Sequence, residues 1–469
     1  MGYTPTIGLE IHAELKTKSK MFCGCKNAPH GSEPNTLTCP VCLAHPGSLP
    51  VPNFGAVSHL LLLGRAVNAT QATYTEFDRK SYFYPDIPKA YQISQYKFPF
   101  LSEGELAGIE LTRVHLEEDT ARNQHSENGY SLVDFNRAGV PLMELVTEPV
   151  IHDAETAVHF AKELQLLLRT LGISDANMEK GEMRVEANIS VSKNSELGTK
   201  VEVKNLNSFK VVEQAIQYEI ERHKAVLDDG GELQQETRGW DEQKSKTFSQ
   251  RTKETAKDYR YFPDPDIPKI DTTAIPEFKL SSLSEKLPKL PSKIRDEYSN
   301  LGLTSDQIDQ ILSSKELIQT FNKFSESETL TDPKLFKLAT NYILTDVVSL
   351  LEELDVSINK LDIEQYLLLI GMIADRKINS RVAKDILPVM LKEDVDVHQY
   401  AEDNNLLQVE DTEALGAIVD TVIVENPEVV KDYKDGKESA VKYLVGQGMK
   451  LSKGTANPEL LLEYLQKKL

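Results

Sequence analysis

Apolar residues recur at every second position in short runs from Thr6 to about Val203, and at helical spacing from Pro291 onward. A period of two sends alternate side chains to opposite faces of a strand, whereas a period near 3.6 gathers them into one stripe of a helix. The chain is therefore expected to be α+β, a β-rich part followed by an all-helical part. Two helices should interrupt the sheet. Glu155 to Leu171 repeats Val158, Ala161, Leu164, Leu168 and Leu171, and Asn207 to Leu227 places Ser208 as a cap ahead of Val212, Ile216 and Ile220. At 469 residues the chain exceeds one ordinary hydrophobic core, so two or three domains are expected. Between Ile267 and Pro291, Pro268, Pro276, Pro288 and Pro291 fall without a sustained period, which suits a boundary better than an element. Beyond it, Tyr342, Val347, Leu350 and Leu354, then Tyr366 to Ile373, then Val382 to Leu387 ahead of Pro388, keep helical spacing. The polar, acidic stretch Glu393 to Gln408 reads as a second break. The expected domains are thus 1–290, 291–400 and 401–469.

A formal charge of -20 argues against nucleic-acid binding by bulk electrostatics, because counterion release needs clustered cations. Lys431 to Leu469 departs from that balance, with eight Lys against five acidic residues. Any RNA contact should be local, and this basic tail is a candidate for it. The longest apolar burst, Leu60 to Leu63, ends at Gly64 and Arg65, far short of the roughly 20 residues a membrane helix needs. Alternation begins at Thr6 without a basic-apolar leader or Arg-rich transit segment, so the expectation is a cytoplasmic protein with no membrane partner.

All four cysteines fall in one loop, as Cys23-Gly24-Cys25 and Cys39-Pro40-Val41-Cys42. Two close pairs of thiolates across a loop match what tetrahedral Zn2+ requires of four sulfur ligands. Such a site leaves no open coordination position, so zinc would pin the 23–42 loop and would not activate water. His30 and His45 are spare ligands, and free structural thiols are the alternative.

The run Ile7 to Leu15 alternates so that a strand projects Glu10, His12 and Glu14 from one face. A carboxylate beside an imidazole can chelate a hard cation such as Mg2+, although a solvated strand face has the same pattern. Arg113 to Asp119 ends another strand in three acids, Glu117, Glu118 and Asp119. Glu144 lies inside the apolar run Pro141 to Val146, where an unpaired carboxylate costs several kcal/mol and so needs a cation or an Arg partner. A third strand sends Arg184, Glu186, Asn188 and Ser190 to one face. Acids for Mg2+ and cations for phosphate are the division of labour that phosphoryl transfer requires. There is no Walker A sequence, and Gly446-Gln447-Gly448 lacks the strand and third glycine of a dinucleotide fingerprint, so ATP would depend on carboxylate-held Mg2+. Phe77 to Gln92 interleaves aromatics, cations and prolines and reads as mostly loop. Arg79, Lys80 and Lys89 can hold phosphates, and Tyr82, Tyr84 or Tyr91 can stack on an unpaired nucleotide; a self-packed aromatic loop is the alternative.

Together, Ile7 to His12, Phe77 to Gln92, His115 to Asp119, Ser131 to Gly139, Glu202 to Phe209, Asp258 to Pro268 and Leu444 to Pro458 resemble the B subunits of the glutamyl-tRNA(Gln) and aspartyl-tRNA(Asn) amidotransferases, over nearly the whole chain. The resemblance implies a carbon–nitrogen ligase. ATP would phosphorylate the side-chain carboxylate of a misacylated Glu-tRNA or Asp-tRNA, and ammonia would displace phosphate to give Gln-tRNA(Gln) or Asn-tRNA(Asn). It implies a heterotrimer in which an A subunit, a glutamine-hydrolysing amidase, sends ammonia through a channel while a small C subunit clasps the pair. It also implies a catalytic half of the glutamine synthetase and guanido kinase type, then a helical domain and a small tail that helps bind tRNA. By motif, Glu10, His12, Glu117, Glu118 and Glu144 would form the Mg2+ site, Lys80, Arg184 and Glu186 would act near the phosphates, and Arg79, Tyr82, Tyr84, Lys89 and Tyr91 would meet the tRNA 3′ end.

Strand parity lets only one of Glu117 and Glu118 share the face of Arg113 and His115, unless a strand end or bulge intervenes. Three positions depart from the family pattern: Glu186 where Asp is frequent, Ala90 where Gly usually follows the Pro-Lys step, and Gly448 where a larger residue is usual. A stand-alone ATP-dependent amide ligase would need the same acids and cations but no helical tail. An RNA-binding scaffold would have lost some of Glu10, His12, Glu144, Lys80 and Arg184, and all are present.

Overall fold

The structure is a computed structural model describing residues 2–469 apart from 127, 195, 253–257, 327–331, 409–411 and 453–455. It divides into two compact units, Met1–Pro291 and Ser292–Leu469. In chain order, the elements of the first unit that matter for the site are β1 (Thr4–Glu14), α1 (Phe54–Ala66), β2 (Asp78–Ser81), β3 (Tyr91–Ser94), β4 (Ile109–Glu118), β5 (Pro141–Thr147), α2 (Ala154–Thr170), β6 (Met183–Ser192), β7 (Val201–Leu206), α3 (Phe209–Asp228), β8 (Glu236–Asp241), β9 (Lys246–Thr252) and β10 (Phe262–Pro263). The main sheet has ten strands and runs β9-β8-β7-β6-β1-β5-β4, extended beyond β4 by short strands. Among these seven, only β7 and β8 pair in parallel. A separate small sheet has the order β10-β2-β3.

Register decides which residues share a face. His12 lies opposite Glu144 and Arg184, Glu10 opposite Glu186, and Glu144 opposite His115. The other face of these strands is aliphatic: Leu9, Ile11, Leu116, Leu145, Val185 and Ala187 are fully buried in one core with Phe160, Leu164 and Leu168 of α2 and Val212 and Ile216 of α3. Each such large side chain contributes about 1.5–3 kcal/mol on burial, so the sheet is anchored from one side and leaves its polar face for chemistry. Asp153 caps α2 by accepting from Thr156 N, and Ser208 caps α3 by accepting from Val211 N.

The expectation of two helices within the sheet-rich part was incomplete. α1 is a third, capped by Asn53, which accepts from Gly55 and Ala56 N. Its Leu60 to Leu63 run is apolar on consecutive positions because Leu62, only partly buried and outside the buried arc of Ala56, Val57, Leu60, Leu61, Leu63 and Gly64, is apolar too, which blurs the 3.6 period. A side chain at Gly64 would bring its Cβ to 2.5 Å from Leu101 Cδ2, so the glycine is what lets α1 lie against the short strand Leu101–Ser102. Ile267 to Pro291 is likewise more than a boundary. Pro276 starts a short 3-10 turn and Pro291 a helix (Pro291–Asn300), and Phe278 and Leu283 plug into the first core.

The second unit is helical. Tyr298, Phe321, Phe324, Phe336 and Tyr366 are fully buried in it, with Phe324 stacked on Tyr366 at 5.7 Å. α4 (Ser380–Lys392) runs through Pro388, where the sequence suggested a stop. The proline forfeits a bond to the Lys384 carbonyl at a cost of about 3 kcal/mol, but Ile386, Leu387, Met390 and Leu391 are buried on both sides of it and hold the helix together. α5 (Val397–Asp403) occupies the polar stretch read as a break, and it buries Val397 and Ala401.

The last four helices, α6 (Thr412–Glu425), α7 (Pro427–Lys434), α8 (Ser439–Leu451) and α9 (Pro458–Lys468), surround their own core of Leu415, Val419, Val422, Val441, Leu444, Leu461 and Leu465. Gly448 is explained here. A Cβ would sit 3.1 Å from Leu461 Cδ1, so glycine allows α8 and α9 to approach closely. Positions 453–455 of the Leu444 to Pro458 block lie outside the described residues. No helix among the described residues is long and apolar enough to cross a membrane.

Candidate functional site

On the polar face of β1, β4 and β5, His12 Nε2 lies 3.4 Å from Glu144 Oε2, 3.5 Å from Glu117 Oε1 and 3.9 Å from Glu10 Oε1. Arg113 reaches Glu144 Oε1 at 3.3 Å, and His115 Nε2 lies 3.6 Å from Glu144 Oε2. One oxygen of buried Glu117, Oε2, has no hydrogen-bond partner among the described residues.

Crowding sets the charges. Burial, then repulsion from Glu144 and Glu186, pushes Glu10 up to about 7. Burial also raises Glu117, against the pull of Lys80. Burial disfavours charge on His12, but its hydrogen bond to Glu144 and the charges of Glu144 and Glu117 prevail and raise it to about 9. Burial works against the Glu144 carboxylate too, yet His115 and His12 hold it well below the usual range. His115 is driven down to about 4 by burial.

Donor atoms of Glu10, His12 and Glu144, and likewise of His115, Glu117 and Glu144, lie within 4.8 Å of one another. An acid-rich donor set with a single imidazole from each trio and an unsatisfied buried oxygen fits a hard divalent cation such as Mg2+.

Lys80 joins this cluster from β2. It packs with Tyr259 (5.0 Å to the ring centre) and Tyr82 (5.9 Å). Burial is the largest single influence and disfavours its charge, but Glu117, Tyr261, Tyr82 and Glu144 together outweigh it and hold the ammonium well above its ordinary range. Arg184 donates to Asp119 Oδ2 at 2.7 Å, and its buried Nε has no partner among the described residues. Glu186 accepts from Lys204 Nζ at 2.7 Å. Lys204 was not singled out from the sequence, and Asp119 was noted only as the last of three acids ending a strand, with no role given to it. The period-two signal could have found Lys204, two positions from Glu202 on β7.

Glu118 is not brought to the cluster. β4 pairs regularly with β5 through Glu117↔Leu142 and Glu118↔Pro141, so no bulge rescues it. It turns to the opposite face, accepts from Lys89 Nζ (2.8 Å) and Ile93 N (3.0 Å), and helps line a cavity of about 200 Å³ with Phe22, Cys42 and Pro88. Arg79 is also elsewhere. It donates to Asp264 and Asp266 at 2.8 Å each and lies 4.4 Å over the Tyr91 ring. Tyr82 stands beside Lys80, whereas Tyr84 is half exposed and packs edge-on against Tyr82. Tyr259 and Tyr261, which sequence reading did not single out, close this aromatic group, and Tyr261 stacks on Tyr96 at 4.5 Å.

The Phe77 to Gln92 segment is mostly loop, as its sequence suggested, but its two ends pair as a hairpin, β2 with β3 through Lys80↔Gln92 and Arg79↔Ile93. Both faces of β2 carry polar or half-buried residues, so no alternation marks it as a strand. Ala90 closes the turn at φ +58°, a left-handed conformation that glycine adopts without the Cβ penalty. Ala90→Gly is expected to stabilise the chain by about 1 kcal/mol and to raise Tm by about 2 °C. Thermal unfolding checks this, and a lower Tm would show that the turn is not strained by alanine.

The sulfurs of Cys23, Cys25, Cys39 and Cys42 lie within 4.8 Å of one another, and Cys39 and Cys42 are 3.8 Å apart. A tetrahedron of Zn–S bonds of about 2.3 Å has edges of roughly 3.8 Å, so the donors fit zinc. Hydrogen bonding from Cys23 outweighs burial and holds the Cys42 thiol down to about 4, while the same contact and burial push Cys23 upward. His30 instead faces Glu14 at 3.5 Å.

Residues 5–275 match the family model of the GatB/GatE catalytic domain, and residues 322–469 match that of the GatB domain. The chain is similar over its full length to three proteins that are each named as the B subunit of an aspartyl/glutamyl-tRNA(Asn/Gln) amidotransferase. It is 43% identical to that of Caldanaerobacter subterraneus subsp. tengcongensis, 42% to that of Coxiella burnetii strain RSA 493 and 41% to that of Thermoanaerobacter sp. strain X514, with 100% of each chain covered. With its acid- and cation-lined sheet face and full-length similarity of this kind, the chain belongs to the family of B subunits of the aspartyl/glutamyl-tRNA(Asn/Gln) amidotransferases.

Proposed function

We propose that this chain converts misacylated Glu-tRNA(Gln), Asp-tRNA(Asn) or both into the amidated forms, using ATP, in a cytoplasmic heterotrimer with a glutaminase A subunit and a C subunit. The observation that carries the reading is one sheet face on which His12 lies within 3.9 Å of three carboxylates, with Lys80 and Arg184 converging on it. On this reading the sheet-rich unit is a catalytic domain of the glutamine synthetase and guanido kinase type, and the helical part ends in a tail that helps bind tRNA.

Glu10, His12, Glu117 and Glu144 would hold Mg2+, which supplies positive charge against the triphosphate. Lys80, kept charged by Glu117, and the free Nε–H of Arg184 donate to phosphate oxygens, so the transferring group is positioned and neutralised. An oxygen of the substrate carboxylate attacks the γ-phosphorus as the bond to the ADP oxygen breaks, leaving an acyl phosphate. The ammonia lone pair then attacks the acyl carbon, phosphate leaves with the C–O electron pair, and the nitrogen loses one proton to give the amide. Glu186, held by Lys204, borders the same face opposite Glu10. Tyr82 and Tyr84 offer rings to the tRNA 3′ end. Arg79 with Tyr91, and Lys89 with Glu118, brace the hairpin beside it. The four cysteines would hold a structural Zn2+.

The test combines the purified chain with its A and C partners, Mg2+, ATP, glutamine and mischarged Glu-tRNA(Gln) or Asp-tRNA(Asn). Conversion to the amide supports the reading. An assembled, tRNA-bound complex that converts neither substrate overturns it.

A further inference from the structure

Lys20 is among the largest fully buried side chains of the chain, at 1% exposure. Its Nζ donates to Phe135 O at 3.2 Å and lies 3.8 Å from Cys42 Sγ. No carboxylate lies within 4 Å of Nζ among the described residues. A buried ammonium without an anion costs several kcal/mol, so an anion must be present nearby. The cysteine centre is the candidate at hand.

We infer that Lys20 is the charge partner of the four-cysteine centre and ties it to the Phe135–Gly139 turn. Four thiolates around a divalent zinc leave a net charge of about -2, and a buried ammonium beside Cys42 offsets part of it. The inference rests on the reading that these cysteines hold zinc.

The surrounding bonds give the contact a structural consequence. Asn136, fully buried, donates to Glu33 O (2.7 Å) and accepts from Leu37 N (2.8 Å), so the turn grips the cysteine loop. Met21 N donates to Gly139 O at 2.7 Å, and Gly139 N donates to Asp119 O at 2.9 Å. Asp119 in turn holds Arg184. Lys20 is thus a positioning residue, linking the cysteine centre to the turn that supports Asp119.

The experiment titrates the zinc-loaded full-length chain with a competing chelator. Wild type is expected to hold about one zinc per chain. Lys20→Gln keeps a donor for Phe135 O but removes the charge, and should bind zinc 10- to 100-fold more weakly, roughly the cost of losing an outer partner of a metal site, with Tm nearly unchanged at saturating zinc. Lys20→Arg, which keeps the charge, should stay within about threefold of wild type. Zinc affinity in Lys20→Gln equal to wild type overturns the inference. So does a loss in Lys20→Arg as large as in Lys20→Gln, because shape and not charge would then be responsible. A folded wild-type chain that takes up no zinc overturns the cysteine reading itself, a result separable from either variant.

Discussion

Glu144→Ala is expected to lower ATP-dependent transamidation by on the order of 10²- to 10³-fold or more, while glutaminase turnover by the A subunit of the same complex stays measurable. Glu144 is the carboxylate on which the cluster converges. Its two oxygens face His12, His115 and Arg113 at 3.3–3.6 Å, and the imidazoles together with Lys80 hold it in its charged form against burial. Removing it takes a ligand from both donor trios and leaves His12 and Arg113 short of an anion. Loss of a buried charge can also unfold a protein, so Glu144→Gln, nearly isosteric, is the companion variant. Both activities are to be measured on assembled complexes with matched Tm. Transamidation at the wild-type rate in either variant would sink the assignment of this face to metal and phosphate. Parallel loss of glutaminase turnover would mean that the substitution had damaged assembly and not the chemistry.

What the sequence revealed of this site follows from which interactions are local. Glu10, His12, Arg184 and Glu186 lie on regular strands in unbroken register, so a period of two is enough to set them on one face. The same parity separates Glu117 from Glu118: one lies 3.5 Å from His12, while the other is bound to Lys89 across the sheet. Motif resemblance alone had grouped them. Arg79 could not be placed this way, because its carboxylate partners Asp264 and Asp266 stand 185 and 187 residues away, and nothing near Arg79 announces them. α1 escaped notice because apolar Leu62 on its less buried side blurs the amphipathic period, and β2 because neither of its faces is purely apolar. The division into a sheet-rich and a helical part was visible throughout, since it depends on a change of period sustained over more than a hundred residues.

Deleting the last four helices should weaken tRNA binding by on the order of 10²-fold near 0.15 M salt, while transamidation at saturating tRNA persists. The core dictates where to cut. A truncation at Pro427 would strand Leu415, Val419 and Val422 of α6, which pack against Val441, Leu444, Leu461 and Leu465. A cut ahead of Thr412 removes the whole set. A point variant then isolates the electrostatics. Lys437, Lys467 and Lys468 are engaged with Asp432, Glu463 and Asp420, whereas Lys431, Lys434, Lys442 and Lys450 are exposed and have no ion pair among the described residues. On a chain of net charge -20, such a local patch can reach phosphates only at short range, within a Debye length of about 8 Å. Replacing these four lysines by alanine should therefore flatten the slope of log affinity against log salt by about 3, at roughly 0.7–0.9 per phosphate contact. Fluorescence anisotropy with labelled tRNA across a salt series reads both effects. If the deletion leaves affinity unchanged, the tail has no part in tRNA recognition. If it weakens binding but the four-lysine variant keeps the wild-type slope, the tail contributes by shape or base contact and not through phosphate neutralisation.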